Sequence, residues 1–167
     1  MEESGRNSDF TPHFHKNQRR RADKVARDNK KIDAKGRFFI PAKVRERLGD
    51  EVFVTNGLDK GYLSVYSKAR FDHITEKING LNQLDKNVRM LGRIIISEAQ
   101  DVSVDSQGRI AVSSELWERI DAKPGDEICV FNNADKLEIC TKNFYDNLDH
   151  DLSNIMGMET QYYVDGL

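Results

Sequence analysis

Asp33-Ala-Lys-Gly-Arg37 and Asp105-Ser-Gln-Gly-Arg109 each set a carboxylate four residues before a guanidinium, with a glycine between them. Asp bonds to nearby backbone and Gly supplies a positive φ, so each stretch reads as a tight turn with the arginine at its exit. Two chemistries fit. The arginine can pair with its own aspartate and stiffen the loop. It can also present its five donors to a phosphate, or bidentately to a guanine in the major groove, with Asp33 or Asp105 holding its orientation. Lys35 sits in the first turn beside Arg37. Lys43 and Arg47 fall at i, i+4 on a short helix, opposite Val44 and Leu48, with Arg45 on a flank. They read either as an ordinary solvated face or as phosphate contacts that set register without carrying sequence information. Arg19-Arg-Arg21, Lys24 and Arg27 read as a hydrated tail or as a non-specific polyanion-binding arm.

Other chemistry finds little support. Asp33, Asp105 and Glu98 have no nucleophile–base pair beside them, and no G-x-S-x-G, P-loop or dinucleotide fingerprint occurs, so no enzyme is expected. The four histidines show no metal-ligand spacing beyond His13-x-His15, and two cysteines exclude a four-cysteine zinc site. No cofactor and no metal are predicted. Cys129 and Cys140 are equidistant from the middle of a hairpin turn, which points to facing positions; they read as buried small hydrophobes or as a cross-strand redox pair. Trp117 is expected to pack at a module or subunit contact. Arg93 is compatible with a buried ion pair or an interface.

The elements that must position these residues come in duplicate. The run Asp33–Leu48 aligns with Asp105–Ile120, 72 residues on, keeping Asp, Gly, Arg, Glu and Arg and the apolar character of Phe38/Ile110, Ile40/Val112, Val44/Leu116 and Leu48/Ile120. Asp50–Val54 then matches Asp126–Val130, and Leu63–Lys68 matches Leu137–Lys142. Each unit spans about 45 residues, too few to bury a stable core alone, so the two are expected to share one. Within a unit the pattern predicts strand, turn, strand, short helix, hairpin, helix. Phe38–Ile40 and Ile110–Val112 read as short strands, and Pro41 suits the first turn of a helix. Ser113 or Ser114 caps the matching helix, and Ser67 and Thr141 cap the closing ones. Val52–Val54 with Leu63–Tyr66, and Ile128–Phe131 with Leu137–Thr141, read as hairpins around Asn-Gly and Asn-Asn turns. Phe71, Ile74 and Ile78 line one face of a helix ended by Gly80. Asp85–Gly92 is expected to be a short helix with Val88 and Leu91 inward. Arg93–Ser97 is its tail or a buried strand.

The chain has 167 residues, 38% hydrophobic and 32% charged, with a net charge of −2. That balance hides a division: residues 1–49 carry 14 Lys/Arg against 7 Asp/Glu, and residues 50–167 carry 12 against 21. Such a split reads either as a basic part set against a polyanion or as a basic, solvated tail on an acidic domain, and charge alone does not choose between them. The longest aliphatic run is Ile94-Ile-Ile96, and the first residues lack an apolar signal-peptide core. These features predict a cytoplasmic protein without a membrane partner. The expected organisation is a disordered basic extension over 1–27, a first module over 28–80, a linker helix and strand over 81–99, a second module over 100–150, and a loose tail over 151–167.

With D-x-x-G-R twice, Ile40-Pro-Ala-Lys-Val-Arg45, Gly57-Leu-Asp59, Val65-Tyr66, and Arg93 followed by an apolar run and Ser97, residues from about 29 to 148 resemble the MraZ family. The resemblance implies an α+β fold, in which tandem SpoVT–AbrB swapped-hairpin β-barrel modules form one joint core with short helices. It implies a sequence-specific transcription regulator that binds double-stranded DNA repeats upstream of its own division and cell-wall gene cluster. It also implies a ring-shaped homo-oligomer associated with the nucleoid, with no small-molecule substrate. The D-x-x-x-R motif carries over to Asp33 and Arg37, and to Asp105 and Arg109. The expected DNA-binding set is therefore Asp33, Lys35, Arg37, Lys43, Arg45, Arg47, Asp105 and Arg109. The second unit departs from the first: Lys35, Lys43 and Arg45 become Gln107, Glu115 and Trp117, and Pro41 becomes Ser113. The other reading of such a scaffold is an antitoxin-type protein-interaction module.

Overall fold

A computed structural model describes residues 27–133 and 136–150, together with 153, 161 and 162. The basic stretch 19–24 and most of the C-terminal tail lie outside these residues. In chain order the first unit comprises β1 (Arg27–Lys31), β2 (Arg37–Phe39), α1 (Ala42–Leu48), β3 (Glu51–Asn56), β4 (Leu63–Ser67) and α2 (Lys68–Asn79). A connecting α3 (Lys86–Gly92) runs into a π-helical turn, Arg93–Ser97. The second unit repeats the order with β5 (Gln100–Ser103), β6 (Arg109–Ala111), α4 (Ser114–Glu118), β7 (Glu127–Asn133), β8 (Lys136–Thr141) and α5 (Lys142–Asp146). The fold is α+β.

The two units exchange strands. One sheet has the order β1-β7-β8-β4-β3-β5, all antiparallel, so the first strand of each unit lies against the hairpin of the other. The second strands meet in a separate two-stranded ribbon, β2–β6. Equivalent backbone bonds stitch the crossings: Ile32 N–H to the Asp126 carbonyl (3.0 Å) and Val104 N–H to the Asp50 carbonyl (2.8 Å). Ile40 N–H reaches the Gly108 carbonyl (3.0 Å), and Val112 N–H the Gly36 carbonyl (3.1 Å). Ile32, Phe38, Val52, Val54 and Leu63 from one unit and Ile110, Trp117, Ile128, Leu137 and Ile139 from the other fill a single core. Neither unit closes its own apolar face, and this is the joint core that units of this size require.

Trp117 is that core's largest member; its indole N–H donates to the Gly36 carbonyl at 3.0 Å and its ring meets Phe38 edge-on. It packs at the contact between units, as its type predicts. Cys129 and Cys140 are directly cross-strand, both free and buried, in the second-unit positions matching Phe53 and Tyr66 of the first. Desolvation pushes the Cys140 thiol up to about 12, keeping it protonated at neutral pH. Phe53 is covered by Phe71 of α2, stacked at 4.4 Å. Above the cysteines, Tyr62 meets Phe144 of α5 edge-on.

Ser67, Ser113 and Thr141 cap their helices, each accepting a backbone N–H from three residues on. Several local expectations need correction. Pro41 occupies the N-cap of α1, not its first turn, because the Ile40 bond to Gly108 carries strand pairing up to the proline. Strands β2 and β6 each begin and end one residue earlier than expected. Asn132 and Asn133 belong to β7, not to the hairpin turn. Val88 and Leu91 are only half-buried, and α3 buries no residue. Of the two readings for Arg93–Ser97, the helical tail holds and the buried strand does not, with Ile95 its one buried residue; Arg93 is exposed, which removes the buried ion pair.

Candidate functional site

The two D-x-x-G-R turns lie at opposite corners of the ribbon and are built alike. Asp33 Oδ1 accepts the backbone N–H groups of Lys35 and Arg37, both at 2.9 Å, while Oδ2 accepts Arg37 Nε–H at 2.7 Å. Asp105 repeats this with Gln107 and Arg109 at the same three distances. Gly36 and Gly108 close the turns at φ of 74° and 79°. A Cβ at Gly36 would come within 2.9 Å of the Val112 carbonyl, so the other unit's backbone seals that turn.

Backbone amide donation, foremost from Arg37 and Arg109, holds both aspartate carboxyls below their ordinary range; the guanidinium bonds act in the same direction. The aspartates therefore stay ionised and hold their arginines by Nε. Among the described residues, the terminal amino groups of Arg37 and Arg109 carry no other hydrogen bond. The self-pairing and ligand-presenting readings are thus compatible, because one edge of the guanidinium is anchored and the rest of the fork is spare.

Register decides which residues share the site. Arg37 pairs with Ala111, Phe38 with Ile110 and Phe39 with Arg109. Phe38 and Ile110 face the core, so Arg37, Phe39, Arg109 and Ala111 form the outer face. Arg37 and Arg109 stand on the ribbon's diagonal, a separation of roughly 7–8 Å. The Arg109 guanidinium carbon lies 5.7 Å from the centre of the Phe39 ring. Two arginines 72 residues apart in the chain thus share one small, twofold-like surface.

The other predicted residues are placed differently. Lys35 is exposed in its turn and Lys43 is exposed near the start of α1. Arg45 points back: its Nε donates to the Ile40 carbonyl at 3.1 Å, and its guanidinium covers Gly108 of the opposite turn. Arg45 and Trp117, which align in the repeat, each sit over the other unit's glycine turn. Arg47 is exposed and donates to Asn132 Oδ1 of β7 at 3.1 Å. Sequence reasoning missed Phe39; its alternation with the inward Phe38 was the available signal.

A two-stranded antiparallel ribbon fits the B-DNA major groove, about 12 Å wide, and can carry side chains to base edges. Among the described residues, no group of His, Cys, Asp and Glu is arranged to hold a metal ion, and no helix is long and apolar enough to cross a membrane.

Residues 26–94 match a family model described as "MraZ protein, putative antitoxin-like". The chain is similar to the transcriptional regulator MraZ of Finegoldia magna, at 32% identity over 73% of this chain and 83% of that one. It is likewise similar to the regulator of that name from Lachnoclostridium phytofermentans, at 39% identity over 71% and 84% of the two chains. The relative from Caldanaerobacter subterraneus is 37% identical over 69% and 78%.

Proposed function

The chain belongs to the MraZ family of transcriptional regulators, and on that premise we propose that it binds double-stranded DNA through the outer face of the β2–β6 ribbon. The observation that carries this reading is the register that sets Arg37 and Arg109 on the diagonal of one outer face, each anchored at Nε by its own aspartate. Pre-anchoring removes rotamer freedom before binding, so less entropy is lost when the fork meets a guanine or a phosphate. Lys35 and Lys43 add phosphate contacts, and Arg47 joins them by exchanging Asn132 for a phosphate. Arg45 supports the Gly108 turn from behind. Asp33 and Asp105 position the arginines and do not touch the polyanion. The basic stretch 19–24 adds contacts that do not depend on base sequence.

One ribbon makes few contacts, so its affinity falls steeply with salt, with a log–log slope of about −0.9 per phosphate neutralised. The active form in this proposal is a ring-shaped homo-oligomer, cytoplasmic and nucleoid-associated, engaging DNA repeats upstream of its own gene cluster, where linked sites raise avidity. Leu81, Leu84, Met90 and Ile94 leave apolar surface exposed along the connector, which a second copy would cover. No catalytic step is part of this role.

The test is fluorescence anisotropy on the DNA upstream of the chain's own gene, against a scrambled duplex, at low and near-physiological salt. A preference that survives the higher salt supports a specific regulator. Arg37→Ala should weaken binding to the preferred duplex by ten-fold or more, the scale of one lost bidentate base contact, with oligomer mass unchanged. Equal binding to both duplexes that vanishes with salt would favour the protein-interaction reading, and an Arg37→Ala variant that binds normally would take the DNA contact off the ribbon.

A further inference from the structure

The ribbon is twofold in its arginines and one-sided in its apolar surface. Arg37 stands opposite Ala111, whereas Arg109 stands opposite Phe39. Phe39 is 46% exposed, on a face that otherwise carries two arginines and an alanine. A ring on that outer face contributes nothing to the core, which Phe38 already fills from the inner side. Its neighbour differs accordingly: the Arg109 side chain is 19% exposed and that of Arg37 27%. The guanidinium over the ring holds the two groups side by side.

In the major groove a guanine offers O6 and N7 to a guanidinium, and a thymine offers a C5-methyl group to an apolar side chain. The Arg109–Phe39 half presents both complements at once, and the Arg37–Ala111 half presents only the first. Resting on the DNA-binding reading above, we propose that Phe39 is a specificity-determining residue that packs on a thymine methyl beside the base contacted by Arg109. The outer face then docks in one orientation only, since turning it about its twofold would set the ring over the wrong base step. The occupant is duplex DNA, because the ring is flanked by Arg37 and Arg109, with Lys35 in the adjacent turn.

The full chain is used to select duplexes from a random-sequence pool. Each thymine of the preferred duplex is then replaced in turn by deoxyuridine, which lacks only the methyl group. For the wild type, at least one replacement should weaken binding about 3–5-fold, the effect of one buried methyl. Phe39→Ser should bind the parent duplex more weakly and lose that sensitivity, while Phe39→Leu, still apolar, should keep it. Since Phe39 lies outside the core, circular dichroism and melting of both variants should match the wild type. The proposal is overturned if no thymine is methyl-sensitive, or if Phe39→Ser keeps the sensitivity. It is also overturned if Phe39→Ser alters the preferred guanine instead, which would make Phe39 a support for Arg109. Failure of the wild type to select any sequence would be a different result, removing the DNA-binding reading itself.

Discussion

One carboxylate serves three donors at each corner of the ribbon, which couples protonation to the shape of the turn. Both aspartates are held below the usual value of 3.8 in the folded chain, chiefly by backbone amides. A group whose pKa is depressed by folding adds stability above its unfolded pKa, and that stability is lost as pH falls through the folded value. The turns are therefore intact at neutral pH and loosen below about pH 4. Carboxyl NMR should find both midpoints below 3.8, and a midpoint at or above it would remove the mechanism. Asp33→Asn keeps an oxygen for the amides and loses the charge facing Arg37. Its stability deficit relative to wild type should be present at pH 7 and fade as the wild-type carboxyl protonates, as paired denaturant melts would show. Asp33, Arg37, Asp105 and Arg109 were legible in the sequence because the turn is local and each pair lies within five residues. The outward side of Phe39 was readable from its alternation with Phe38, but its place opposite Arg109 and the inward turn of Arg45 were not, since both depend on what the other unit places opposite them.

At the scale of elements, the connector shows how a polar contact settles what hydrophobicity leaves open. Ile94, Ile95 and Ile96 have the composition of a buried strand, yet they form a π-helical turn with only Ile95 buried. Two side chains of β3 hold it there: Thr55 donates to the Ile95 carbonyl at 2.7 Å and Asn56 to the Ile94 carbonyl at 2.8 Å. Wider π-helical spacing perturbs the ordinary i→i+4 ladder, and side-chain donors meet carbonyls of the turn. Thr55 is fully buried. Thr55→Val preserves shape and removes the donor, so it should cost about 1–3 kcal/mol, the penalty for losing a buried hydrogen bond and stranding its acceptor. Thermal or urea unfolding would measure this, and an unchanged midpoint would show that the Ile95 carbonyl has another partner. Caps and helix faces, such as Ser67 with Phe71 and Ile78, followed from sequence because they repeat local rules.

For the whole molecule, the exchange of strands makes the units interdependent. The first unit's β1 has no sheet partner within its own unit, and its β2 pairs only with β6. A fragment ending at residue 80 should therefore show little β-sheet signal in circular dichroism. Mixing it with a fragment covering the connector and second unit should restore the sheet. A folded, cooperatively melting first fragment would contradict the shared core.

The repeat of D-x-x-G-R, the paired apolar positions and the turn residues were enough to determine an α+β fold of two like units with arginine-bearing turns. Composition and short-range spacing control these features, because turn chemistry, capping and strand alternation act over a few residues. Partner choice was decided only in the tertiary structure: β1 with β7, β5 with β3, β2 with β6. A unit of about 45 residues cannot cover its own apolar face, and burying that face forces strands far apart in the chain together. The same pairing set the register of the ribbon, and with it the choice of Phe39, rather than Phe38, as the neighbour of Arg109 on the outer face.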